Sequence, residues 1–186
     1  MERDPVVQSG LSKKDVFALA ERVADELGYR PGGDLVAALD KLGGTLVYRD
    51  FWSSTGEKDP RSGSIEIDGY NDFRVFVAND TAPTRDRFTI AHEIGHYVLH
   101  YLWHMESTGT APGPAWASRY GNTRVEWEAN WFAAAFLMPA GPFTEAVERG
   151  GGGIEGAARA FGVSALAARL RAEGLGLTEP ASGTDS

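Results

Sequence analysis

The chain has 186 residues, enough for one domain of ordinary size with a sizeable core. Its 42 % hydrophobic and 24 % charged content is typical of a soluble globular protein, and its formal net charge of −8 argues against nucleic-acid binding through an overall positive field. The absence of cysteine excludes disulfides and thiolate metal sites, so any metal ion must be held by histidine and carboxylate.

The N-terminal sequence does not have the pattern of a targeting segment. Residues 1–10 lack the basic start and the apolar core of a signal peptide, and the chain has no apolar run of the roughly 18 residues that a membrane span needs. We therefore expect a cytoplasmic protein with no membrane partner, and we interpret residues 1–11 as a flexible leader.

Helix start and stop signals organise the next part of the chain. Ser12, followed three residues later by Asp15, predicts a capped helix whose apolar face recurs at helical spacing until Gly28. Asp34 opens a second, shorter helix, and residues 45–49 have the pattern of a strand.

A predicted β-hairpin follows a predicted loop. Residues 51–63 are rich in Ser, Gly, Asp and Pro and indicate a loop. Residues 64–68 and 73–77 alternate at period two around the turn 69–72, which favours a hairpin. Its outer strand could bind an extended peptide through main-chain hydrogen bonds, or simply cover the core.

Residues 84–102 predict an amphipathic helix that contains an H-E-x-x-H sequence. His92 and His96 lie four residues apart, hence one turn apart on one helix face, where two imidazoles can bind the same metal ion. Glu93 would lie beside the metal-bound water and could take its proton. Gly95 costs about 1 kcal/mol against Ala in a helix interior, so we expect a close contact that needs the missing side chain.

The two ends of this helix carry weaker signals. Thr81 or Thr84 could cap its start. His100 lies about 6 Å beyond His96 along the helix axis, too far to be an easy ligand of the same ion, but it could orient a carboxylate, stabilise an oxyanion or pair with backbone. Tyr97 is adjacent to the metal face and is a candidate oxyanion donor.

A strongly apolar helix follows an irregular stretch. Residues 103–124 show no periodicity, which predicts a long loop, either a lid over a cleft or a mobile surface loop. Residues 125–138 then predict a mostly buried helix. Burial of the Glu126 and Glu128 carboxylates there is unfavourable unless each is paired or bound to metal. A catalytic zinc site needs a third protein ligand; we assign Glu128, with Glu126 as the alternative, and the remaining acid would favour the helix N-terminus. The same donors also suit Mn²⁺ or Fe²⁺.

The C-terminal part has a helix-turn-helix pattern. Residues 154–161 and 165–171 predict two helices joined by Gly162-Val-Ser164, and their arginines could touch phosphates, although two helices with a glycine turn are also ordinary packing. We expect residues 141–175 to be a helical extension packed on the domain, and residues 176–186 to be a disordered tail.

Two motifs together resemble one known family. RFTIAHEIGHYVLH, followed by EWEANWFAAAFLMP, resembles the ImmA/IrrE family of zinc metallopeptidases, and the resemblance extends over residues 12–175. It implies a compact α+β, zincin-like domain over residues 12–140, with a small mixed or antiparallel sheet and an H-E-x-x-H helix. It also implies that His92, His96 and Glu128 bind one Zn²⁺ and that Glu93 is the general base.

The family resemblance also implies a partner. Members cleave, or are proposed to cleave, helix-turn-helix repressors and so release phage, mobile-element or stress-response genes. We therefore expect a zinc endopeptidase whose substrate is such a repressor. The alternatives are a DNA-binding regulator that uses residues 154–171, and a toxin–antitoxin-type interaction protein, each with a structural metal site; the oligomeric state is left open.

Overall fold

A mixed five-stranded sheet forms one layer of the α+β fold. The computed structural model describes residues 3–50, 63–118 and 123–177, and nearly all of the predicted loop 51–63 and tail 176–186 lies outside these ranges. Within them, the sheet order is β1-β5-β3-β4-β2. The strands are β1 (Asp4–Pro5), β2 (Gly44–Arg49), β3 (Ser64–Gly69), β4 (Asp72–Ala78) and β5 (Ala115–Ser118).

Helices pack against this sheet, and further helices follow its last strand in the described part of the chain. The helices are α1 (Lys13–Glu26), α2 (Leu35–Lys41), α3 (Pro83–Tyr97), a π-helical turn (Val98–Leu102), α4 (Trp103–Thr108), α5 (Arg124–Leu137), α6 (Ala140–Arg149), α7 (Gly153–Phe161) and α8 (Ala165–Gly174). Helix α5 packs against both α3 and α1, and α3 also contacts β3 and β4. The core therefore lies where the sheet, α3 and α5 meet.

The hairpin and the first helices form where the sequence predicted them. Strand β3 pairs antiparallel with β4, and the turn between them holds Asn71 at φ 55°, a left-handed conformation that asparagine tolerates well. The Ser12 side chain accepts a hydrogen bond from the Asp15 N–H at the start of α1, and Asp34 caps α2 in the same way. Local capping chemistry thus explains both helix starts.

The start of α3 differs from the prediction. Neither Thr81 nor Thr84 caps the helix; Ala82 is the N-cap residue without a side-chain cap, and Pro83 follows at the first helical position. The Thr81 hydroxyl instead bonds Asp86. Proline at this position has no N–H to satisfy, and the N–H of Arg85, two residues later, is bonded to the Ala82 carbonyl in place of a side-chain cap.

The predicted loop at 103–124 was wrong over much of its length. Helix α4 occupies Trp103–Thr108 and β5 occupies Ala115–Ser118, where β5 pairs antiparallel with β3. A four-residue strand leaves little periodicity in a sequence, and its pairing partner is some fifty residues away, from Ser64 to Ile67. Residues 119–122 lie outside the described ranges.

The C-terminal helices form the predicted helix-turn-helix. Gly162 ends α7 in a left-handed conformation, and the Ser164 side chain caps α8 by accepting from the Ala167 N–H. Arg171 is buried and donates to the Met138 carbonyl and to Glu21, so it ties α8 to the rest of the fold. Across the described residues, none of the helices is both long and apolar enough to span a bilayer.

Candidate metal centre

Three side chains from two helices converge in the core. His92 and His96 lie one turn apart on α3, with their Nε2 atoms 3.0 Å from each other. Helix α5 brings Glu126 against them, with its Oε2 atom 3.3 Å from the His92 Nε2 and its Oε1 atom 3.3 Å from the His96 Nε2. All three side chains are buried, and together they could hold a metal ion.

The spacing of these donor atoms is compatible with one bound ion. Ligands about 2.05 Å from zinc and about 109° apart lie roughly 3.3 Å from one another. The two Nε2 atoms are 3.0 Å apart, and each lies 3.3 Å from a different oxygen of the Glu126 carboxylate, Oε2 for His92 and Oε1 for His96. Three protein ligands leave one corner of the tetrahedron for water or substrate, which is the arrangement of catalytic rather than structural sites.

The structure brings Glu126, the alternative, to the histidine pair and turns Glu128, the first choice, away from it. Residues two positions apart in an α-helix are rotated by about 200° around its axis, so the two carboxylates must leave α5 on nearly opposite sides. Glu128 bonds His100 Nε2 at 3.1 Å and Arg124 Nε at 2.9 Å instead. The sequence contained both acids, but their faces depend on how α5 is rotated against α3.

Asn130 supports His92 from the other side of its ring. The His92 Nδ1 lies 3.0 Å from the Asn130 Oδ1. An amide oxygen can only accept a hydrogen bond, so Nδ1 carries the proton and Nε2 keeps its lone pair for an ion. Asn130 is four residues after Glu126 and therefore on the same face of α5. That spacing is the sequence signal from which its place beside the site could have been predicted.

His100 supports His96 in a similar way. The two Nδ1 atoms are 3.0 Å apart, and the His100 Nε2 contacts the Glu128 carboxylate. His100 lies in the π-helical turn, an irregularity that is frequent at functional sites and that sequence periodicity does not reveal. The contact with Glu128 matches one of the three roles considered for His100, the orientation of a carboxylate.

Burial and pairing set the charges of this cluster. Burial raises the pKa of Glu126, but its contacts with His92 and His96 outweigh burial and lower that pKa to about 2. Burial likewise opposes ionisation of Glu128, and bonds from His100, Ser9 and Arg124 lower its pKa to about 2. Burial lowers the pKa of His100 to about 4. At neutral pH both carboxylates are therefore anionic and His100 is neutral.

The remaining candidates on α3 have different surroundings. Glu93 is fully buried and next in sequence to His92. The Tyr97 hydroxyl accepts a hydrogen bond from the Asn71 N–H at the hairpin turn, and its ring stacks on Phe73 at a centroid distance of 4.0 Å. This hydroxyl is thus engaged with the sheet, which does not support its role as an oxyanion donor.

A groove of about 580 Å³ lies between α1, the start of α3, α5 and α8, and it reaches the metal centre only through Asn130. Asn130, the partner of His92, contributes to its wall. The apolar lining comes mainly from Phe17, Phe88, Trp131, Met138, Leu166 and Leu170. The charged lining residues are all cations, namely Lys13, Arg85 and Arg171, on a chain whose net charge is −8.

Comparisons with known proteins identify a family and a similar fold. The family model described as the IrrE N-terminal-like domain of the M78 peptidases matches residues 40–173. A transcriptional regulator from Mycobacterium tuberculosis has a similar fold, with a TM-score of 0.56 and 24 % identity over 85 % of this chain and 46 % of that one. The chain therefore spans about half the length of that regulator. None of the curated proteins matches this sequence.

Proposed function

The chain belongs to the IrrE N-terminal-like family of M78 peptidases, and on that premise we propose that it is a zinc-dependent endopeptidase that cleaves a helix-turn-helix repressor. The observation that carries the proposal is the buried triangle of His92, His96 and Glu126, in which each imidazole Nε2 lies 3.3 Å from one oxygen of the Glu126 carboxylate. Loss of the repressor would release the genes that it silences.

We propose His92, His96 and Glu126 as the ligands of the ion. Asn130 and His100 hold the two imidazoles so that each Nε2 lone pair points into the triangle, and Glu126 adds one negative charge. Zinc bound there would polarise a peptide carbonyl and lower the pKa of water toward 7. Mn²⁺ and Fe²⁺ accept the same set of donors, so the metal content of the purified protein needs to be measured.

Glu93 is the general base in this proposal. It follows His92 directly on α3 and is fully buried, so its carboxylate is shielded from bulk solvent. Its carboxylate takes the proton of the attacking water and passes it to the amine of the leaving peptide, so one side chain serves both proton transfers. General acid–base catalysis of this kind contributes about 10²–10⁴-fold to a rate.

The test separates metal binding from catalysis. The Glu93→Gln variant should bind one zinc ion as the wild-type chain does, and should cleave the repressor at least about 10²-fold more slowly. The substrate to use is the small helix-turn-helix repressor encoded nearest to this chain, followed by mass spectrometry of the products. Cleavage by the variant at the wild-type rate would refute the role of Glu93, and a wild-type chain that binds no divalent ion would refute the metal centre.

The groove beside the site supports a protein substrate. Its apolar lining and basic rim suit an amphipathic helix with acidic flanks, and repressor domains are built of such helices. Leu170 lines the groove and is 59 % exposed, so Leu170→Asp should leave the fold intact. We expect a higher KM for the repressor with little change in kcat, whereas Tyr48→Asp, on the exposed part of β2, should change neither. Equal KM values for the two variants would contradict this use of the groove.

The structure gives the DNA-binding alternative little support. Of the arginines on α8, Arg171 is buried against Met138 and Glu21, and Arg169 pairs with Glu155 at 3.3 Å. Phosphate contacts need exposed cations, and a net charge of −8 opposes approach to DNA. A mobility shift at low salt that disappears with Arg169→Ala would reverse this ranking.

A further inference from the structure

The segment that precedes α1 is held at the edge of the sheet. Arg3 pairs with Asp68 at 2.6 Å, and β1 pairs parallel with β5. The Val6 N–H then donates to the Trp116 carbonyl. Residues 3–12, which we name the N-terminal segment, therefore have defined contacts, although the sequence analysis expected a flexible leader.

This segment ends against the support of the metal centre. The Ser9 N–H donates to the Glu128 Oε2 at 2.8 Å. Arg124 donates through Nε to the other oxygen of Glu128 at 2.9 Å, and through Nη2 to the Leu11 carbonyl at 2.7 Å. Glu128 is fully buried and yet touches both the N-terminal segment and His100.

The direction of each hydrogen bond follows from the chemistry of the groups. The Glu128 carboxylate only accepts, so the His100 Nε2 must donate to it at 3.1 Å. The His96 Nδ1 and the His100 Nδ1 are 3.0 Å apart, so a proton lies between them, and a His96 that binds an ion through Nε2 carries that proton on its own Nδ1. The His96 Nε2 is then left with its lone pair toward His92 and Glu126. One chain of bonds thus leads from the Ser9 amide to an atom of the proposed triangle.

We propose that the N-terminal segment is a positioning element of the metal centre, in which the Ser9 N–H acts through Glu128 and His100 to orient His96 toward the ion. This inference rests on the ligand set of the proposed function. Partners that orient a histidine ligand commonly change metal affinity by about 10–100-fold when they are removed. An anchor that only stabilised the fold would not change the affinity of the folded protein for the ion.

Two substitutions at one position provide the test. Ser9→Pro removes the amide proton, whereas Ser9→Ala keeps it and deletes a hydroxyl that accepts from the Leu11 N–H and also interacts with Glu128. Zinc affinity would be measured by competition with a chromophoric chelator, and the geometry by the visible spectrum of the cobalt-substituted protein. We expect about a tenfold loss of affinity and an altered cobalt spectrum for Ser9→Pro, and a smaller loss for Ser9→Ala, which keeps the N–H donor.

The outcomes distinguish this inference from the proposed function. Wild-type affinity in Ser9→Pro, or an equal loss in Ser9→Ala, overturns the role assigned to the Ser9 N–H and leaves the proposed metal centre unaffected. If the wild-type chain binds no zinc, the metal centre itself is refuted. If thermal unfolding shows that metal-free Ser9→Pro is not folded, Gly10→Val decides instead: Gly10 has a φ of 76°, which a β-branched residue disfavours, so this variant shifts the Ser9 amide without changing a side chain that contacts Glu128, and wild-type affinity in it overturns the inference.

Discussion

The substitution Gly95→Ala tests how closely the metal centre depends on the approach of α3 to α5. A Cβ atom at Gly95 would lie 3.1 Å from the Cβ and 3.2 Å from the Cγ and Cδ1 of Phe132. Carbon atoms attract optimally at about 3.5–4.0 Å, so the helices would have to separate by a few tenths of an ångström. Phe132 cannot easily yield, because it is fully buried and stacks on Phe136.

The size of the effect follows from two opposing terms. Alanine gains about 1 kcal/mol over glycine in a helix interior, while overpacking a core costs about 1–3 kcal/mol. We expect a net destabilisation of roughly 1 kcal/mol, which lowers the Tm of a chain of this length by about 2–4 °C. The same separation would move Glu126 from the histidine pair, so zinc affinity should fall by about tenfold, as for other misplaced ligands.

Gly156→Ala is the matched control for this prediction. Gly156 lies inside α7, and a Cβ there would meet nothing nearer than the Arg159 Nη2 at 4.0 Å. This variant should be stabilised by about 0.5–1 kcal/mol, with unchanged zinc affinity. Thermal unfolding of the metal-free proteins and chelator competition measure the two quantities. If Gly95→Ala were as stabilising as Gly156→Ala and bound zinc equally well, the reasoning from the α3–α5 contact would be refuted.

Three further predictions concern the charges of the fold. Glu126→Gln should lower zinc affinity more than Glu128→Gln in chelator competition, because only Glu126 contacts both imidazoles; the reverse order would restore Glu128 as the ligand. The His100 pKa of about 4 lies below its ordinary value of 6.5, so the metal-free fold loses stability as pH falls from about 6.5 to 4, by roughly 3 kcal/mol at most. Urea unfolding should show a shallower pH dependence in His100→Gln, and parallel curves would contradict this origin. Arg171→Met should lower the free energy of unfolding by about 2–3 kcal/mol, because it leaves the Met138 carbonyl without that donor. Arg169→Met, at an exposed ion pair, should lower it by less than about 1 kcal/mol.

The sequence by itself determined the local parts of this protein. Two histidines four residues apart must share a helix face, Ser12 and Asp34 cap helices through neighbouring amides, and alternation around residues 69–72 makes a hairpin. The unusual glycine at 95 also signalled a close contact, which the structure assigns to Phe132. Each of these features depends on residues only a few positions apart.

Only the tertiary structure decided which acid meets the histidines. Glu126 and Glu128 both remain candidates in the sequence, and the rotation of α5 against α3 places the first against His92 and His96 and the second against His100. The same holds for β5, whose pairing with β3 joins distant parts of the chain, and for Ser9, which reaches Glu128 across 119 residues. Such choices depend on how whole elements pack, because a helix presents every face to its neighbours until the packing fixes one of them.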